Sequence, residues 1–270
     1  MPEFQIVLPA RLASSRLSEK LLQRAGGKSV LQHTYEAASR ARCGTAGVVV
    51  AVDDQRLADE VDSFGGRWFM TPTDCASGTD RVAWVARQFP QTEIFINVQS
   101  DEPEIDPDAI DAVADALAAD PTADIATAGT PIHQAPYLTD PNVVKIVMAD
   151  FVENSPADGC GAGRGRAVYF SRACVPADRD GDPADRLTDR PPVYWHHLGL
   201  YAYRRDFLQW FANAPPGTLE KIEKLEQLRA LEAGKKIVVA RVGPAQPGID
   251  TADDLRQFQA RIRAAGQSPR

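Results

Sequence analysis

Basic side chains cluster in a loop near the start of the chain. Arg11, Arg16 and Lys20 follow an apolar run, Phe4–Leu8, which is typical of a β-strand and which Pro9 is expected to end. Arginine offers forked N–H donors and lysine a compact positive charge, so together they can neutralise a polyphosphate. A solvated loop can have the same composition, but open α/β sheets bind ligands at the carboxyl ends of their strands. The position of this loop therefore predicts a phosphate-binding site.

Two acidic segments also follow predicted strands. Asp101 comes directly after the strand Glu93–Val98, and Asp250 follows the last predicted strand. Carboxylates at such positions can hold Mg²⁺ against phosphate oxygens. Each has a structural alternative: an ordinary acidic turn for Asp101 and a helix N-cap for Asp250, a role that Thr251 can also fill. The pattern leaves both interpretations open.

A third pair of candidates lies in the second half of the chain. Arg172 and His197 lie beside two neighbouring predicted strands, Ala167–Ser171 and Leu198–Tyr203. An arginine and a histidine brought together in this way can hold a carboxylate. A single histidine is more often structural, so each residue is a candidate only in combination with the other.

Two glycine-containing segments resemble nucleotide-binding motifs but lack a required feature. Gly27-Lys28-Ser29 resembles the end of a P-loop, yet Leu22 stands where that motif has its earlier glycine. The segment 161–166 resembles a dinucleotide fingerprint, but Arg166 replaces its last glycine and no predicted strand precedes it. We therefore interpret both as loops.

The composition is that of an acidic globular protein. The 270 residues carry a net charge of -7, with 44% hydrophobic and 25% charged residues, and this length can bury a core without disulfides. The acidic excess argues against a nucleic-acid partner, which usually needs a basic face. The four cysteines form no CxxC pair, so we expect reduced thiols and neither a zinc site nor a redox motif. Because no apolar run can span a bilayer and no signal peptide is evident, we expect a cytoplasmic protein with no membrane partner.

The elements that would position these residues alternate between strands and helices. This alternation predicts a doubly wound, mainly parallel sheet over the first part of the chain. The predicted strands are Phe4–Leu8, Gly47–Val52, Trp68–Met70, Glu93–Val98, Asp124–Thr130, Val143–Met148, Ala167–Ser171, Leu198–Tyr203 and Lys236–Val242. The predicted helices are Val30–Ala41, Gln55–Phe64, Thr79–Gln88, Pro107–Ala118, Thr218–Ala233 and Thr251–Ala264, and the segment Asn154–Arg166 is predicted to be a loop.

Seven ordered segments resemble the CMP-Kdo synthetases, the 3-deoxy-manno-octulosonate (Kdo) cytidylyltransferases. They are LPARLASSRL from Leu8, SGTDR from Ser77, NVQSDEP from Asn97, YFSR from Tyr169, HLGLYAY from His197, EKLEQLRAL from Glu223 and GIDTADDL from Gly248. The resemblance extends from Ile6 to about Arg261. It implies an α/β, nucleotidyltransferase-type fold with a mixed, mainly parallel sheet and helices on both faces. It further implies one domain, residues 1–270, in which roughly residues 131–217 form a small dimerisation and sugar-binding subdomain.

The resemblance also implies the reaction. CTP and Kdo would give CMP-Kdo and pyrophosphate with Mg²⁺ as the cofactor, in a homodimer that serves lipopolysaccharide synthesis. Alternatives are the activation of a related acidic sugar, amino-Kdo or a sialic acid, or a catalytically weakened nucleotide-binding relative.

Roles for individual residues follow from the same resemblance. Arg11, Lys20, Asp101 and Asp250 would be catalytic, and the last two would bind the metal. The nucleotide would contact Pro9, Ala10, Arg11, Arg16, Lys20, Ser77, Gly78 and Arg81. The sugar would contact Gln99, Arg172, His197, Glu223 and Gln227.

The chain departs from the family pattern at the expected nucleotide site. The family usually has Pro-Gly before the loop lysine, where this chain has Ser18-Glu19, and usually has glycine at the position of Ser100. Loss of these residues predicts that the tight turn before Lys20 is absent and that the backbone at Ser100 is more restricted.

Overall fold

The computed structural model describes residues 3–14, 16–153 and 163–267. The chain divides into two compact units, Met1–Ile110 with Ala245–Arg270, and Asp111–Pro244. The stretch 131–217, predicted as a subdomain, falls inside the second unit. No helix among the described residues is both long enough and apolar enough to cross a membrane.

The first unit contains four parallel strands in the order β5-β4-β1-β6. Their bounds are β1 (Phe4–Ala10), β4 (Val48–Val52), β5 (Arg67–Met70) and β6 (Ile94–Asn97). Every residue of β4 and β6 is buried, as expected of parallel strands that are covered on both faces. Because the strands are parallel, their carboxyl ends lie at one edge, and the loops that follow them start there.

Helices α1 (Val30–Ala38), α2 (Gln55–Ser63), α3 (Gly78–Ala86) and α9 (Ala252–Gln267) belong to the same unit, together with the short hairpin of β2 (Arg24–Ala25) and β3 (Lys28–Ser29). The hairpin contains the P-loop-like segment. Its Ser29 side chain accepts a hydrogen bond from Gln32 N and caps α1, while Lys28 pairs with Glu36. These contacts confirm that the segment is structural.

The second unit contains β7 (Ile125–Pro131), β8 (Lys145–Val152), β9 (Arg164–Ser171), β10 (Trp195–Arg204) and β11 (Ile237–Arg241). Their order is β10-β7-β11-β9-β8, and β10 also pairs with β8, so the pairings form a closed ring. Only β7 and β11 are parallel among these pairs. The register of β10 shifts between Leu198 and Tyr201.

Helices of the second unit are short. They are α5 (Ala135–Thr139), α6 (Arg205–Asn213), α7 (Thr218–Glu223) and α8 (Gln227–Glu232), while α4 (Pro107–Ala118) runs across the boundary at Asp111. The prediction of one helix over Thr218–Ala233 is wrong. Lys224 adopts a left-handed backbone conformation with φ of 55° and ends α7, and 72% of Ile222 is exposed. The apolar spacing that predicted one helix therefore does not describe one buried face.

Two further predictions need correction. Pro9 does not end β1, because the strand continues to Ala10 and Pro9 pairs with Ala51. The predicted loop Asn154–Arg166 ends earlier than expected, because Arg164–Arg166 belong to β9, while residues 154–162 lie outside the described residues. The remaining predicted strands and helices are present, most with ends moved by one to three residues.

Candidate active site

Lys20 lies between the two predicted metal-binding carboxylates. Its ammonium donates to Asp250 Oδ1 at 3.1 Å and also to Asp101 Oδ2. Arg16 Nη2 lies 3.0 Å from the other oxygen of Asp250. Burial alone would lower the pKa of Lys20, but the two carboxylates outweigh it and raise that pKa. The sequence therefore predicted correctly that these four residues come together.

The backbone also joins the two acidic segments. Ile249 N donates to the carbonyl of Asp101 at 2.8 Å, which fixes Asp250 beside Asp101. The N-cap of α9 is Thr251: its hydroxyl accepts from Asp254 N, and the Asp254 carboxylate accepts from Thr251 N. Thr251 therefore takes the capping role, and the Asp250 carboxylate faces the lysine.

Arg11 is an exposed residue of the basic loop, as is Arg16. In the part of the chain that the structure describes, its guanidinium makes no hydrogen bond or ion pair, whereas Arg16 and Lys20 are paired. An exposed guanidinium with uncommitted donors suits a bidentate contact with a phosphate.

The tight turn before Lys20 is present, and Glu19 stands in it at the position where the family usually has glycine. Its backbone has φ 48° and ψ 41°, the left-handed region, and its carbonyl accepts from Leu22 N. Its carboxylate lies 2.6 Å from Arg56 Nη1, and Arg56 is also bound by Asp54. The prediction that the tight turn is absent is therefore wrong, since glutamate adopts the conformation that glycine favours.

Ser100 fits its position without a special backbone conformation. Among the described residues other than glycine, positive φ occurs at Glu19, Asp150 and Lys224, and Ser100 is not one of them. Its hydroxyl donates to Pro9 O at 2.7 Å. Serine therefore adds a bond between the end of β1 and the loop after β6, and the predicted backbone restriction has no consequence here.

The amino end of α3 lies against the end of β1. Ser77 and Asp80 form a capping box, and a Cβ added to Gly78 would lie 3.3 Å from Pro9 Cγ. The free amides and dipole of a helix amino end favour an anion. Four of the predicted nucleotide contacts are therefore grouped at this point of the first unit: Pro9, Ala10, Ser77 and Gly78.

The guanidinium of Arg81 is hydrogen-bonded within the protein rather than exposed to a ligand. Its guanidinium donates to Asp53 Oδ2 at 2.9 Å, to Thr71 Oγ1 at 2.7 Å and to Pro72 O at 3.2 Å. Only 5% of its side chain is exposed. Sequence reasoning missed Asp53, although it directly follows β4 as Asp101 follows β6.

Glu102 is a half-buried acid beside the metal-binding candidate Asp101. Burial, followed by the charge of Asp101, raises the pKa of Glu102 to about 8. A neutral Glu102 leaves Asp101 and Asp250 as the charged carboxylates at this point of the site.

The residues at this point fit a magnesium ion. Mg²⁺ is commonly held by one or two carboxylates together with substrate phosphates, and Asp101 and Asp250 converge on one cationic group, the Lys20 ammonium. No group of three or more His, Cys, Asp or Glu converges within residues 3–14, 16–153 and 163–267. The donor set is therefore that of an ion shared with a phosphorylated ligand.

In the second unit, Arg172 and Glu223 are directly connected. Glu223 accepts from Ser171 Oγ at 2.7 Å and from Arg172 N at 3.0 Å. The Arg172 guanidinium donates to the carbonyls of Glu223 at 2.8 Å and Pro141 at 2.9 Å. Lys145 is buried and donates to the Arg172 carbonyl at 3.0 Å. Both the backbone N–H and the backbone carbonyl of Arg172, the predicted sugar-binding arginine, are therefore hydrogen-bonded.

His197 is a neutral hydrogen-bonding group. Burial, with a smaller contribution from His196, lowers its pKa to about 3. Thr127 Oγ1 lies 3.0 Å from His197 Nε2 and donates its own proton to Leu200 O at 2.9 Å. Nε2 is therefore the donor of that pair, and Nδ1 is left as an acceptor.

Gln227 is the first residue of α8 and is buried. Its Nε2 has no hydrogen-bond partner among the described residues. A buried amide without a partner is costly, so this nitrogen is suited to a ligand oxygen. Gln99 lies in the first unit and is half-buried.

Parallel strands whose carboxyl ends carry a basic loop, a helix amino end and two acidic turns define a nucleotidyltransferase-type α/β fold and site. The sequence matches the cytidylyltransferase family over residues 5–237. It is 59% identical over 259 residues to a 3-deoxy-manno-octulosonate cytidylyltransferase of Rhodopirellula baltica, covering 96% of this chain and 98% of that protein. It is 41% identical over 260 residues to an 8-amino-3,8-dideoxy-manno-octulosonate cytidylyltransferase of Shewanella piezotolerans, covering 95% and 97%.

A solved structure agrees with these sequence relatives. A CMP:2-keto-3-deoxy-manno-octonic acid synthetase complexed with CTP matches with a TM-score of 0.83 and 36% identity, covering 97% of this chain and 99% of that one. The mixed α/β fold and the enzyme class predicted from the sequence are confirmed. The chain belongs to the 3-deoxy-manno-octulosonate cytidylyltransferase family.

Proposed function

We propose that this enzyme joins CTP to Kdo, giving CMP-Kdo and pyrophosphate. The observation that carries the proposal is the convergence of Lys20, Asp101 and Asp250 beside the basic loop. Phosphoryl and nucleotidyl transfer require little covalent chemistry from the protein, so positioning and charge neutralisation dominate catalysis. Both are properties of this arrangement.

The basic loop and the amino end of α3 bind the triphosphate. Arg11 and Arg16 offer exposed guanidinium groups, and Lys20 adds a point charge whose raised pKa keeps it protonated at neutral pH. These groups neutralise the pyrophosphate as it leaves. Pro9, Ala10, Ser77 and Gly78 lie at the adjoining strand and helix ends, where the nucleoside part of CTP can contact them.

Asp101 and Asp250 hold Mg²⁺. When bound, the ion supplies neutralisation of phosphate charge and a lowered pKa for the attacking hydroxyl. Lys20, which is bonded to both carboxylates, would have to release them for the ion to bind and could then contact the phosphates. The donor set of two carboxylates with substrate oxygens supports magnesium rather than zinc.

Arg172, His197, Glu223 and Gln227, all in the second unit, bind the acidic sugar. Arg172 neutralises the carboxylate, and Glu223 orients Arg172 through its backbone amide. The open Nε2 of Gln227 donates to a sugar oxygen, and neutral His197 accepts from a sugar hydroxyl.

In the reaction, the anomeric hydroxyl oxygen of the sugar attacks the α-phosphorus of CTP in line. The new bond joins that oxygen to the α-phosphorus, the bond from the α-phosphorus to the β-bridging oxygen breaks, and the hydroxyl proton leaves to solvent. Pyrophosphate departs with the electron pair. The chain's own part is to hold the two reactants in line, which can supply a large share of the rate acceleration.

A related sugar is the second candidate. The Shewanella relative is named for the 8-amino analogue and is 41% identical, so the same scaffold supports that substrate. Sialic acid activation is less favoured, because the relatives above are named for Kdo and its 8-amino analogue. A catalytically weakened relative is less favoured, because Lys20, Asp101 and Asp250 converge and both departures from the family pattern are accommodated. We further propose a cytoplasmic homodimer that serves lipopolysaccharide synthesis, as in the family it resembles.

Pyrophosphate release tests this proposal. The enzyme with Mg²⁺ and Kdo should release pyrophosphate from CTP and much less from UTP or ATP. Asp101→Asn and Asp250→Asn should each reduce kcat by about 100-fold or more, the scale of loss for one electrostatic group in an active site. Near-normal turnover of both variants at saturating Mg²⁺ would refute the metal assignment, and light scattering in solution would refute the dimer if it gave the monomer mass.

A further inference from the structure

A nearly buried ion pair lies behind the nucleotide site of the first unit. Arg81 Nη2 lies 2.9 Å from Asp53 Oδ2, and 5% and 12% of the two side chains are exposed. Arg81 is on α3, and Asp53 directly follows β4. The pair is made between residues far apart in sequence, so only the folded chain brings it together.

The pair joins the carboxyl ends of three strands. Asp53 Oδ1 accepts from Leu12 N at 2.9 Å, in the loop after β1. On the other side, Arg81 Nη1 donates to Thr71 Oγ1 at 2.7 Å, after β5. The Thr71 hydroxyl in turn donates to Val52 O at 2.9 Å, the last residue of β4. One carboxylate thus contacts both the helix arginine and the backbone of the basic loop.

Burying both charges has a desolvation cost that their attraction recovers only when the geometry is good. This pair meets that condition, since each carboxylate oxygen accepts one strong bond and both terminal nitrogens of Arg81 donate. Such a network specifies one arrangement of the segments it joins. Among the segments that this network joins, the loop around Leu12 matters most for function, because it carries Arg11 and Arg16.

We propose that Asp53 is a positioning residue for the nucleotide, acting with Arg81. Its carboxylate fixes the Leu12 amide and therefore the path of the basic loop, so that CTP binds a loop already ordered. Arg81 acts through Asp53 and does not use its terminal nitrogens on the ligand. This inference rests on the proposed function, because it concerns the affinity for CTP.

Asp53→Asn tests the pair, because the amide has one acceptor oxygen where the carboxylate has two, so it cannot accept from both Leu12 N and Arg81 Nη2. The measurements are calorimetric binding of CTP and the KM values for CTP and for Kdo. Loss of an ordered loop should weaken CTP binding by about tenfold, since ordering is then required at each binding event. The KM for Kdo should change by less than about twofold, because none of Leu12, Asp53, Thr71 and Arg81 is among the predicted sugar contacts.

Glu220→Gln is the matched control. Glu220 forms a similarly buried bidentate pair with Arg229, with 11% and 13% exposed side chains, in the second unit. The control should lower the melting temperature while leaving the affinity for CTP unchanged. Equal CTP weakening in Asp53→Asn and Glu220→Gln would mean general destabilisation and overturn the proposal, as would unchanged affinity in Asp53→Asn.

Thr71→Val provides a milder variant if Asp53→Asn does not fold. It removes one acceptor of Arg81 and keeps the ion pair, so CTP binding should weaken about threefold, the scale of one neutral hydrogen bond. Unchanged CTP affinity in Thr71→Val would then overturn the proposal. Failure of the wild-type enzyme to bind CTP would instead refute the proposed function, so the two failures are distinguishable.

Discussion

The ammonium of Lys20 lies 3.1 Å from Asp250 Oδ1 while it also binds the carboxylate of Asp101. A positive side chain therefore neutralises the two carboxylates when no ligand is bound. Like charges so close together would otherwise repel each other. The lysine and the proposed metal ion would compete for the same carboxylates.

Lys20→Met should bind divalent cations more tightly in the absence of nucleotide. Removing the ammonium takes away the one cation that both carboxylates share, although Arg16 still pairs with Asp250. The affinity for Mn²⁺, used as a spectroscopic substitute for Mg²⁺, should therefore rise about tenfold or more. Electron paramagnetic resonance of free Mn²⁺ measures this directly. Lys28→Met, which removes an exposed lysine paired with Glu36, is the control and should change nothing. Unchanged Mn²⁺ affinity in Lys20→Met would contradict the assignment of the two carboxylates.

Substitutions at Glu19 should distinguish its backbone strain from its ion pair. Both Glu19→Ala and Glu19→Gly lose the ion pair with Arg56. This pair is largely exposed and contributes little to the free energy of unfolding. Alanine keeps the cost of the left-handed conformation at φ 48°, whereas glycine does not. Glu19→Gly should therefore be more stable to urea than Glu19→Ala by about 1 kcal/mol. The reverse order would show that this turn is not left-handed in solution.

His197 should make the fold less stable in acid. Its folded pKa is about 3, whereas an unfolded histidine has a pKa of about 6.5. Between these values the unfolded chain binds a proton that the folded chain does not, so the free energy of unfolding falls as the pH is lowered.

Replacing His197 should remove this part of the acid sensitivity. Urea unfolding of wild type and His197→Gln from pH 7 to pH 4 should give a shallower dependence in the variant, by up to about 1.4 kcal/mol per pH unit. His196, whose pKa burial also lowers, contributes to both proteins equally. Parallel curves would contradict the neutral, buried state of His197.

Because α7 ends at Lys224, substitutions of two apolar residues that the sequence placed on one helix face should have different effects on stability. Ile222 is 72% exposed and Leu228 is fully buried. Ile222→Lys should change the free energy of unfolding by less than about 0.5 kcal/mol, while Leu228→Ala should cost about 2 to 5 kcal/mol. Urea denaturation measures both, and similar losses for the two would support the single helix instead.

Much of the first unit could be predicted from the sequence because its local signals agree. Val48–Val52 is entirely β-branched or small and buried, and Pro107–Ala118 begins with a proline at the first helical position. The meeting of Asp101 and Lys20 follows from the rule that parallel strands end at one edge, whereas Asp250 is held there by the hydrogen bond from Ile249 N to Asp101 O. Helix α6 was missed, although Phe207, Leu208 and Phe211 have the spacing of a buried helical face.

Other features depend on contacts that no local pattern contains. Glu19 adopts a glycine-like conformation because the surrounding chain and Arg56 support it, so its residue type suggested the wrong turn. Asp53 and Arg81 are joined only after β4 and α3 pack together, and the sequence alone assigned Arg81 to the ligand and gave Asp53 no role. The sequence singled out Arg172 as a candidate, but its fixation by Glu223 and Lys145 requires distant segments to meet.

A competition experiment tests the central claim most directly. The enzyme is given CTP and Mg²⁺ with equal concentrations of Kdo, 8-amino-3,8-dideoxy-manno-octulosonate and a sialic acid, and the CMP-sugars formed are identified by mass spectrometry. We predict that CMP-Kdo is the predominant product and that one pyrophosphate is released per CMP-sugar. Predominance of either other CMP-sugar, or the absence of any CMP-sugar, would contradict the account.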